Sequence, residues 1–337
     1  MKHHSLHRLL LALFFISLIS FAVAQKQTVI YPGKIWPDTD GNHIQAHGAG
    51  ITKVKNTYYM YGESREKNLD PNRRFVSCYS SNDLINWTFK GNVLEMANPD
   101  TLASNWVLER PKVYYNKMTK KYVMYFHVDV NYKLAQVAIA VSDKATGPFK
   151  YVRRFHPLGY ESRDIGQFID EDGSAYLIFE DRPSGGFRIA KLTDDYMDVE
   201  KNICLFKERI EGGAIVFYEG LYYCIGSGLT GWKPNPNKYA TAKSLDGPWS
   251  EFKDIAPPET NTYGSQSTYL LKIAGSKKTS VIYMGDIWKP DTQWDSRYLW
   301  MPLEIGNGKL FLPKPQPWKF NVKTGMHNFV TAPPAER

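Results

Sequence analysis

Glu211 stands directly before Gly212 and Gly213 and the apolar run 214–218, with no helix terminus and no adjacent basic residue to satisfy it. A carboxylate placed with so little local reason points to proton transfer. Four other stretches follow the same plan, with His47 before Gly48, Glu109 before Arg110, Asp164 before Ile165 and Gln266 before Ser267. The successive intervals are 62, 55, 47 and 55 residues. If the runs behind these residues lie parallel around one axis, the five polar side chains converge at one mouth. Three carboxyl groups cannot all ionise freely there: at about 7 Å and an effective dielectric near 20, each like-charge pair costs roughly 2 kcal/mol. One of them is expected to stay protonated near neutral pH, as a general acid must. Plainer roles compete at each position. Asp164 beside Arg163 and Glu109 beside Arg110 could each be half of a salt bridge, Gln266 a polar channel residue, and His47 a hydrogen-bonded channel histidine rather than a metal ligand.

A repeat of this length is long enough for four short strands per unit, which points to a propeller. Each start is followed by a turn and a second, aromatic strand; the pairs are 49–54 with 57–62, 111–115 with 121–127, 167–170 with 174–180, 214–218 with 221–227, and 267–273 with 280–286. The loops between them, such as Asp172-Gly173 and Glu219-Gly220, suit hairpins. Three units close on Ser/Asp turns that deliver an aromatic, at Trp87, Phe149 and Trp249, and these read as packing between neighbouring sheets. The fold expected is all-β, a five-bladed β-propeller filling residues 25–330 as one domain, with the segments 27–45 and 302–318 closing the ring and a frayed tail at 331–337.

Residues 1–24 read as a cleaved signal peptide, with Lys2 and Arg8 ahead of an apolar run and the small-residue pattern Ala22-Val23-Ala24 before Gln25. Export to the periplasm or the exterior is expected, and no later run is long enough to span a bilayer. Loss of Lys2 and Arg8 lowers the net charge of +8 by two. The remaining excess is dispersed, which gives no case for nucleic acid. Cys78, Cys204 and Cys224 are too few for a disulfide framework and lack metal-site spacing. Cys78 and Cys224 fall in strands as small hydrophobes, and one disulfide stays open.

Several motifs resemble glycoside hydrolase family 43: the five starts, Ser81-Asn82-Asp83-Leu84-Ile85-Asn86-Trp87, Glu109-Arg110-Pro111-Lys112-Val113-Tyr114-Tyr115-Asn116, and Asp170-Glu171-Asp172-Gly173-Ser174-Ala175-Tyr176-Leu177. The opening 38–50 with Tyr58-Tyr59-Met60-Tyr61-Gly62-Glu63 is similar to the family's exo-β-1,3-galactanase branch. The resemblance implies that Glu211 is the general acid and that Asp164 tunes its pKa and orients it. Most of the family carries a general-base Asp in an Ala-Asp-Pro motif where this chain has Ala46-His47-Gly48. The branch lacks that Asp too, which implies that Gln266 holds the attacking water with Glu109 nearby. It further implies that Glu63, Tyr132, Glu180 and Thr230 bind galactose hydroxyls. Apart from the resemblance, the ring places His47 beside the acids, and Trp232 and Trp288 are candidates to stack on a sugar face, with blade packing the competing role.

The expected activity is inverting release of galactose from the non-reducing end of β-1,3-galactan, the arabinogalactan backbone. For it the acid and the water-holding group should stand roughly 6.5–9.5 Å apart. An α-L-arabinofuranosidase or β-xylosidase, and a catalytically silent glycan-binding propeller, are the competing readings. The partner expected is a polysaccharide or oligosaccharide, the chain a monomer. No cofactor is required, and a calcium or sodium ion in the central channel is left open.

Overall fold

The computed structural model describes residues 26–70, 72–97 and 106–331. The signal peptide expected at 1–24 lies outside them, as does the tail beyond Thr331. Short hairpin loops join neighbouring runs of alternating and fully apolar residues, so each unit folds as an antiparallel meander. The first blade is β1 (His47–Val54), β2 (Thr57–Glu63), β3 (Arg73–Ser81) and β4 (Thr88–Ala97). The second is β5 (Trp106–Tyr115), β6 (Tyr122–Val130), β7 (Gln136–Ser142) and β8 (Lys150–Phe155). The third is β9 (Arg163–Ile169), β10 (Ala175–Asp181), β11 (Gly186–Leu192) and β12 (Val199–Phe206), and the fourth β13 (Ile210–Tyr218), β14 (Leu221–Gly228), β15 (Lys238–Ala242) and β16 (Lys253–Asp254). The fifth has three strands, β17 (Gln266–Ala274), β18 (Thr279–Ile287) and β19 (Arg297–Pro302). The inner strands β1, β5, β9, β13 and β17 touch in that order, and β17 touches β1. The sheets therefore close into the five-bladed β-propeller expected from the repeat.

The aromatics delivered by the Ser/Asp turns each pack on the preceding blade. Phe149 meets Tyr61 of blade one edge-on, Trp249 meets Phe206 of blade three, and Trp87 meets Trp300 of blade five. Contacts of this geometry add about 0.5–1.5 kcal/mol beyond the area they bury. Ring closure falls to the N-terminal segment: Gly33 N–H donates to Tyr298 O on β19 at 2.9 Å, while Trp36 Nε1 donates to Ile85 O at 2.9 Å in blade one. The C-terminal segment differs from expectation, folding as separate ribbons, β20 (Glu304–Gly306) with β21 (Lys309–Phe311) and β22 (Trp318–Asn321) with β23 (Met326–Phe329). Cys78 and Cys224 are buried, and all three cysteines are free. Among the described residues no helix is long and apolar enough to cross a membrane.

Candidate active site

Each inner strand breaks register near this end, in blade five one residue later than in blades one, two and four. His47 pairs with Glu63 and then Gly50 with Tyr61; Glu109 pairs with His127 and then Lys112 with Tyr125; Glu211 pairs with Ser227 and then Ala214 with Ile225. The extra residue makes a bulge, and the residue after the polar one is left-handed: Gly48 at φ 58°, Arg110 at 50° and Gly212 at 62°. A bulge of this kind bends its strand and re-aims the neighbouring side chain, here toward the axis. At Gly212 the conformation demands glycine, and at Gly213 so does space, because a Cβ there would lie 1.6 Å from the Phe187 ring. In blade three it is Arg163 that pairs with Glu180, and Asp164 itself takes the left-handed place at φ 41°. Asp164 thus sits one position later than its alignment with Glu109 and Glu211 implied. Arg110 and Asp164 are the two inner-strand residues of this set that hold a left-handed conformation without being glycine. They hold each other, Arg110 Nε donating to Asp164 Oδ1 at 2.8 Å.

The bulges surround a cavity of about 440 Å3. Glu63, Glu109, Tyr132, Asp164, Glu180, Glu211, Trp232, Gln266 and Trp288, all singled out in the sequence, line it together with Arg110, His127, Arg163, Arg182 and Arg209. His47 and Thr230 do not. His47 is fully buried, its Nδ1 3.0 Å from Asp286 Oδ1 and its ring stacked on Tyr298, so it props the wall from behind. Thr230 is exposed and turns its hydroxyl to Lys233 O within its own loop. Glu180 is held at both oxygens by Arg182, at 2.7 and 2.9 Å. Trp232 and Trp288 meet edge to face with centroids 5.3 Å apart, forming an aromatic corner.

Gln266 departs most from expectation. Its Oε1 accepts from Arg110 Nη2 at 2.5 Å and from Trp288 Nε1 at 2.9 Å. Two obligate donors on one side fix the amide orientation. Nε2 therefore donates to Glu211 Oε1 at 2.9 Å and to Ser227 Oγ at 3.2 Å. The separation of roughly 6.5–9.5 Å expected between the acid and a water-holding group is not found for this pair. With all its hydrogen-bonding positions engaged, Gln266 bridges the acid to Arg110. Because Oε1 of Glu211 already accepts, a proton on this carboxyl belongs on Oε2, whose nearest cation is Arg182 at 3.9 Å.

Burial, and then the negative charge of Asp164, push Glu211 up to about 9 against the pull of Arg110. Burial also outweighs Arg65 and pushes Glu63 up to about 7. Burial works against ionisation of Glu109 as well, but His127, Arg65 and Tyr132 overcome it and hold that carboxyl at about 2. Of Glu109 and Glu211, it is Glu211 that the surroundings push toward its protonated form.

Two features bear on a bound cation. Glu109, His127 and Asp164 bring ligand atoms within 4.8 Å of one another. Both nitrogens of His127, however, already face carboxylates, Glu109 at 3.0 Å and Asp129 at 3.2 Å. Deeper in the channel the fully buried Lys112 Nζ donates to Gly48 O at 2.5 Å and Ala49 O at 3.3 Å. The carbonyls that would attract a channel ion are thus taken by the Lys112 amine, which burial, and then the charge of Arg110, lower to about 7.

Sequence reasoning gave no role to His127, Asp129, Asp286 or Lys112. A signal was available for two of them. Each second strand carries a polar residue at or near its end, and Glu63, His127, Ser227 and Asp286 stand opposite four of the five starts in the ladder, while Glu180 stands opposite Arg163.

A five-bladed propeller whose inner bulges gather a protonated glutamate, an ion-paired aspartate and aromatic walls is the architecture of a glycoside hydrolase. The sequence model of glycosyl hydrolases family 43 matches residues 45–271, and the chain belongs to that family. It is similar to the exo-β-1,3-galactanase of Phanerochaete chrysosporium solved with β-1,3-galactotriose: 38% identity, TM-score 0.84, 90% of this chain and 71% of that one covered. An exo-β-1,3-galactanase from Clostridium thermocellum is 35% identical at TM-score 0.84, covering 91% and 70% of the two chains. A β-1,3-galactosidase of the same family, solved with galactodeoxynojirimycin, is 33% identical at TM-score 0.76, covering 84% and 98%. No curated protein sequence matches the chain.

Proposed function

We propose that this glycoside hydrolase is exo-acting and releases galactose from the non-reducing end of β-1,3-galactan. The observation that carries the reading is its likeness, over nine-tenths of the chain, to exo-β-1,3-galactanases, joined to a cavity in which one glutamate retains its proton. Glu211 donates that proton from Oε2 to the glycosidic oxygen, and Asp164 keeps the carboxyl neutral until it does so. Inversion places the attacking water on the opposite sugar face, toward blades one and two, the blades not adjacent to blade four in the ring. Glu109 stands on that wall as a permanent anion. Its low proton affinity suits it to orient the water more than to deprotonate it. Glu63 and Tyr132 are assigned to galactose hydroxyls, and Trp232 and Trp288 to the apolar sugar face. The leader at 1–24 supports export to where such a glycan would be met.

The test is incubation with linear β-1,3-galactan, branched arabinogalactan and a panel of aryl galactosides, arabinofuranosides and xylosides, with product analysis and NMR of the anomer first released. Galactose alone, released as the α-anomer, is expected. Arabinose or xylose as main product would assign the site to the family's other activities, and tight galactan binding without release would make it a lectin.

A further inference from the structure

Blade two carries a buried charged chain behind the cavity wall. His127 is 1% exposed, and the side chain of Asp129 behind it is wholly covered. The imidazole Nδ1 lies 3.0 Å from Glu109 Oε2 and Nε2 lies 3.2 Å from Asp129 Oδ2. Ionised carboxylates accept and do not donate, so a ring that meets one at each nitrogen satisfies both only when doubly protonated. Asp129 is not free to turn away. Its Oδ1 accepts from the backbone N–H of Val130 at 2.6 Å and Leu134 at 2.7 Å, and its Oδ2 from that of Ala135 at 2.9 Å.

Those donors bracket a tight loop in which Asn131, Tyr132 and Ala135 are left-handed, at φ 52°, 53° and 50°. The loop returns to the same carboxylate, Tyr132 OH donating to Glu109 Oε1 at 2.8 Å. The other charges facing this chain are Arg65, 3.8 Å from Glu109 Oε1, Glu63, which shares Arg65 with Glu109, Arg163, 3.8 Å from Asp129 Oδ2 and itself paired with Glu161, and Asp164 across the cavity.

We propose that His127, kept as an imidazolium by Asp129, is a positioning residue that fixes Glu109 as an ionised carboxylate aimed at the cavity and ties the Tyr132 loop to the same charge. A neutral ring donates at one nitrogen only, so losing the proton would release either Glu109 or Asp129 with the loop it anchors. Burial opposes the imidazolium, yet Asp129 and Glu109 push His127 up to about 9, and the clamp holds through the neutral range. The catalytic part of this inference rests on the glycosidase reading of the cavity; the charge state of the ring does not.

The test joins a spectrum to a pH profile. In the full-length protein with isotope-labelled histidine, the nitrogen and carbon shifts of His127 should report a doubly protonated ring at about pH 8, where an unperturbed histidine is neutral. Asp129→Asn should let that ring titrate near its ordinary value. On β-1,3-galactan its kcat/KM should then stay within a few-fold of the parent at about pH 5 and fall roughly tenfold or more at about pH 8, mostly in kcat. A neutral His127 at about pH 8 in the unmodified protein overturns the proposal, even if the variant does not fold. So does an Asp129→Asn deficit equal at both pH values, which marks a purely structural role.

Discussion

The two ends of the central channel make an informative contrast. At the catalytic end every inner strand is bulged, and charged side chains turn inward in pairs with at least one buried member: Arg110 with Asp164, Glu109 with His127, Glu63 with Arg65. At the opposite end the same strands run in regular register into their hairpins and surround a wider opening of about 750 Å3. Its acids and lysines sit on the rim, as in the pair Lys272–Glu171 at 2.9 Å, with Glu171 65% exposed. Size therefore does not mark the site. What marks it is low-dielectric crowding, because like charges held out of water must settle their protonation states against one another, while rim charges are screened. Lys112 lies between the two regimes, fully buried, with its amine on the Gly48 and Ala49 carbonyls.

The largest break in this contrast should come from Glu211→Gln. The amide keeps the shape and the contact with Gln266 but carries no transferable proton, so kcat on galactan should fall roughly 10^3-fold while thermal unfolding stays near the parent. An aryl galactoside with a good leaving group should recover much of the loss. Near-normal turnover of galactan would remove Glu211 from the role. Next comes Arg110→Met, which strands the half-buried Asp164 carboxylate and leaves the Gln266 carbonyl held by Trp288 alone. Denaturant titration should show a loss of about 3–5 kcal/mol, the usual cost of breaking a buried pair from one side. Adding Asp164→Asn should return part of it.

These buried partnerships also show where the sequence could and could not be read. The five starts, the interblade aromatics and Glu211 were visible because each is a local pattern: a polar residue before an apolar run, or an aromatic after a Ser/Asp turn. The one-residue displacement of Asp164 was not, because the bulge that causes it appears only once β9 pairs with β10. His47 was expected in the cavity because it shares the motif position. Asp286 and Tyr298, more than two hundred residues later, draw it into the wall. Gln266 was cast as a holder of water because nothing nearby in the chain reveals that Arg110 and Trp288 fix its carbonyl. Local pattern reported which residues reach the axis, and long-range hydrogen bonds decided what each is free to do there.

A smaller effect is expected from Lys112→Met, which keeps an unbranched stem and removes the terminal amine. The Gly48 and Ala49 carbonyls lose their donor, and an unsatisfied buried acceptor costs about 1–3 kcal/mol. Activity per folded molecule should stay within a few-fold of the parent. If sodium or calcium then restores stability to the variant alone, the Lys112 amine has been standing where an ion can bind. A pH profile sharpens the electrostatic half of the contrast. Glu211 has its folded pKa raised from 4.5 to about 9, so its acid form, and with it activity, is present below that value and lost as pH rises through it. The linked stability runs the same way, full below about 4.5 and declining up to about 9. Asp164→Asn removes the charge that most opposes ionisation after burial, so the alkaline limb of kcat/KM should move to lower pH. An unmoved limb would mean that Asp164 does not tune the acid.

The smallest effect belongs to the far mouth, and its smallness is the point. Lys272→Ala removes one partner of an ion pair whose side chains are 33% and 65% exposed. Both charges keep most of their water, and the pair holds two long side chains in one geometry at an entropic cost that offsets the attraction. Pairs of this kind contribute about 0–1 kcal/mol, and the Lys272 Nζ also lies over the Phe217 ring, 5.8 Å from its centroid. Chemical denaturation should therefore shift by less than about 1 kcal/mol, with kcat and KM on galactan unchanged and the alkaline limb at the parent position. A change in turnover or in that limb would mean that charge at the wide mouth is felt through Lys112 at the site. The two ends would then be one electrostatic unit, and the division between a crowded, low-dielectric site and a screened rim would fail.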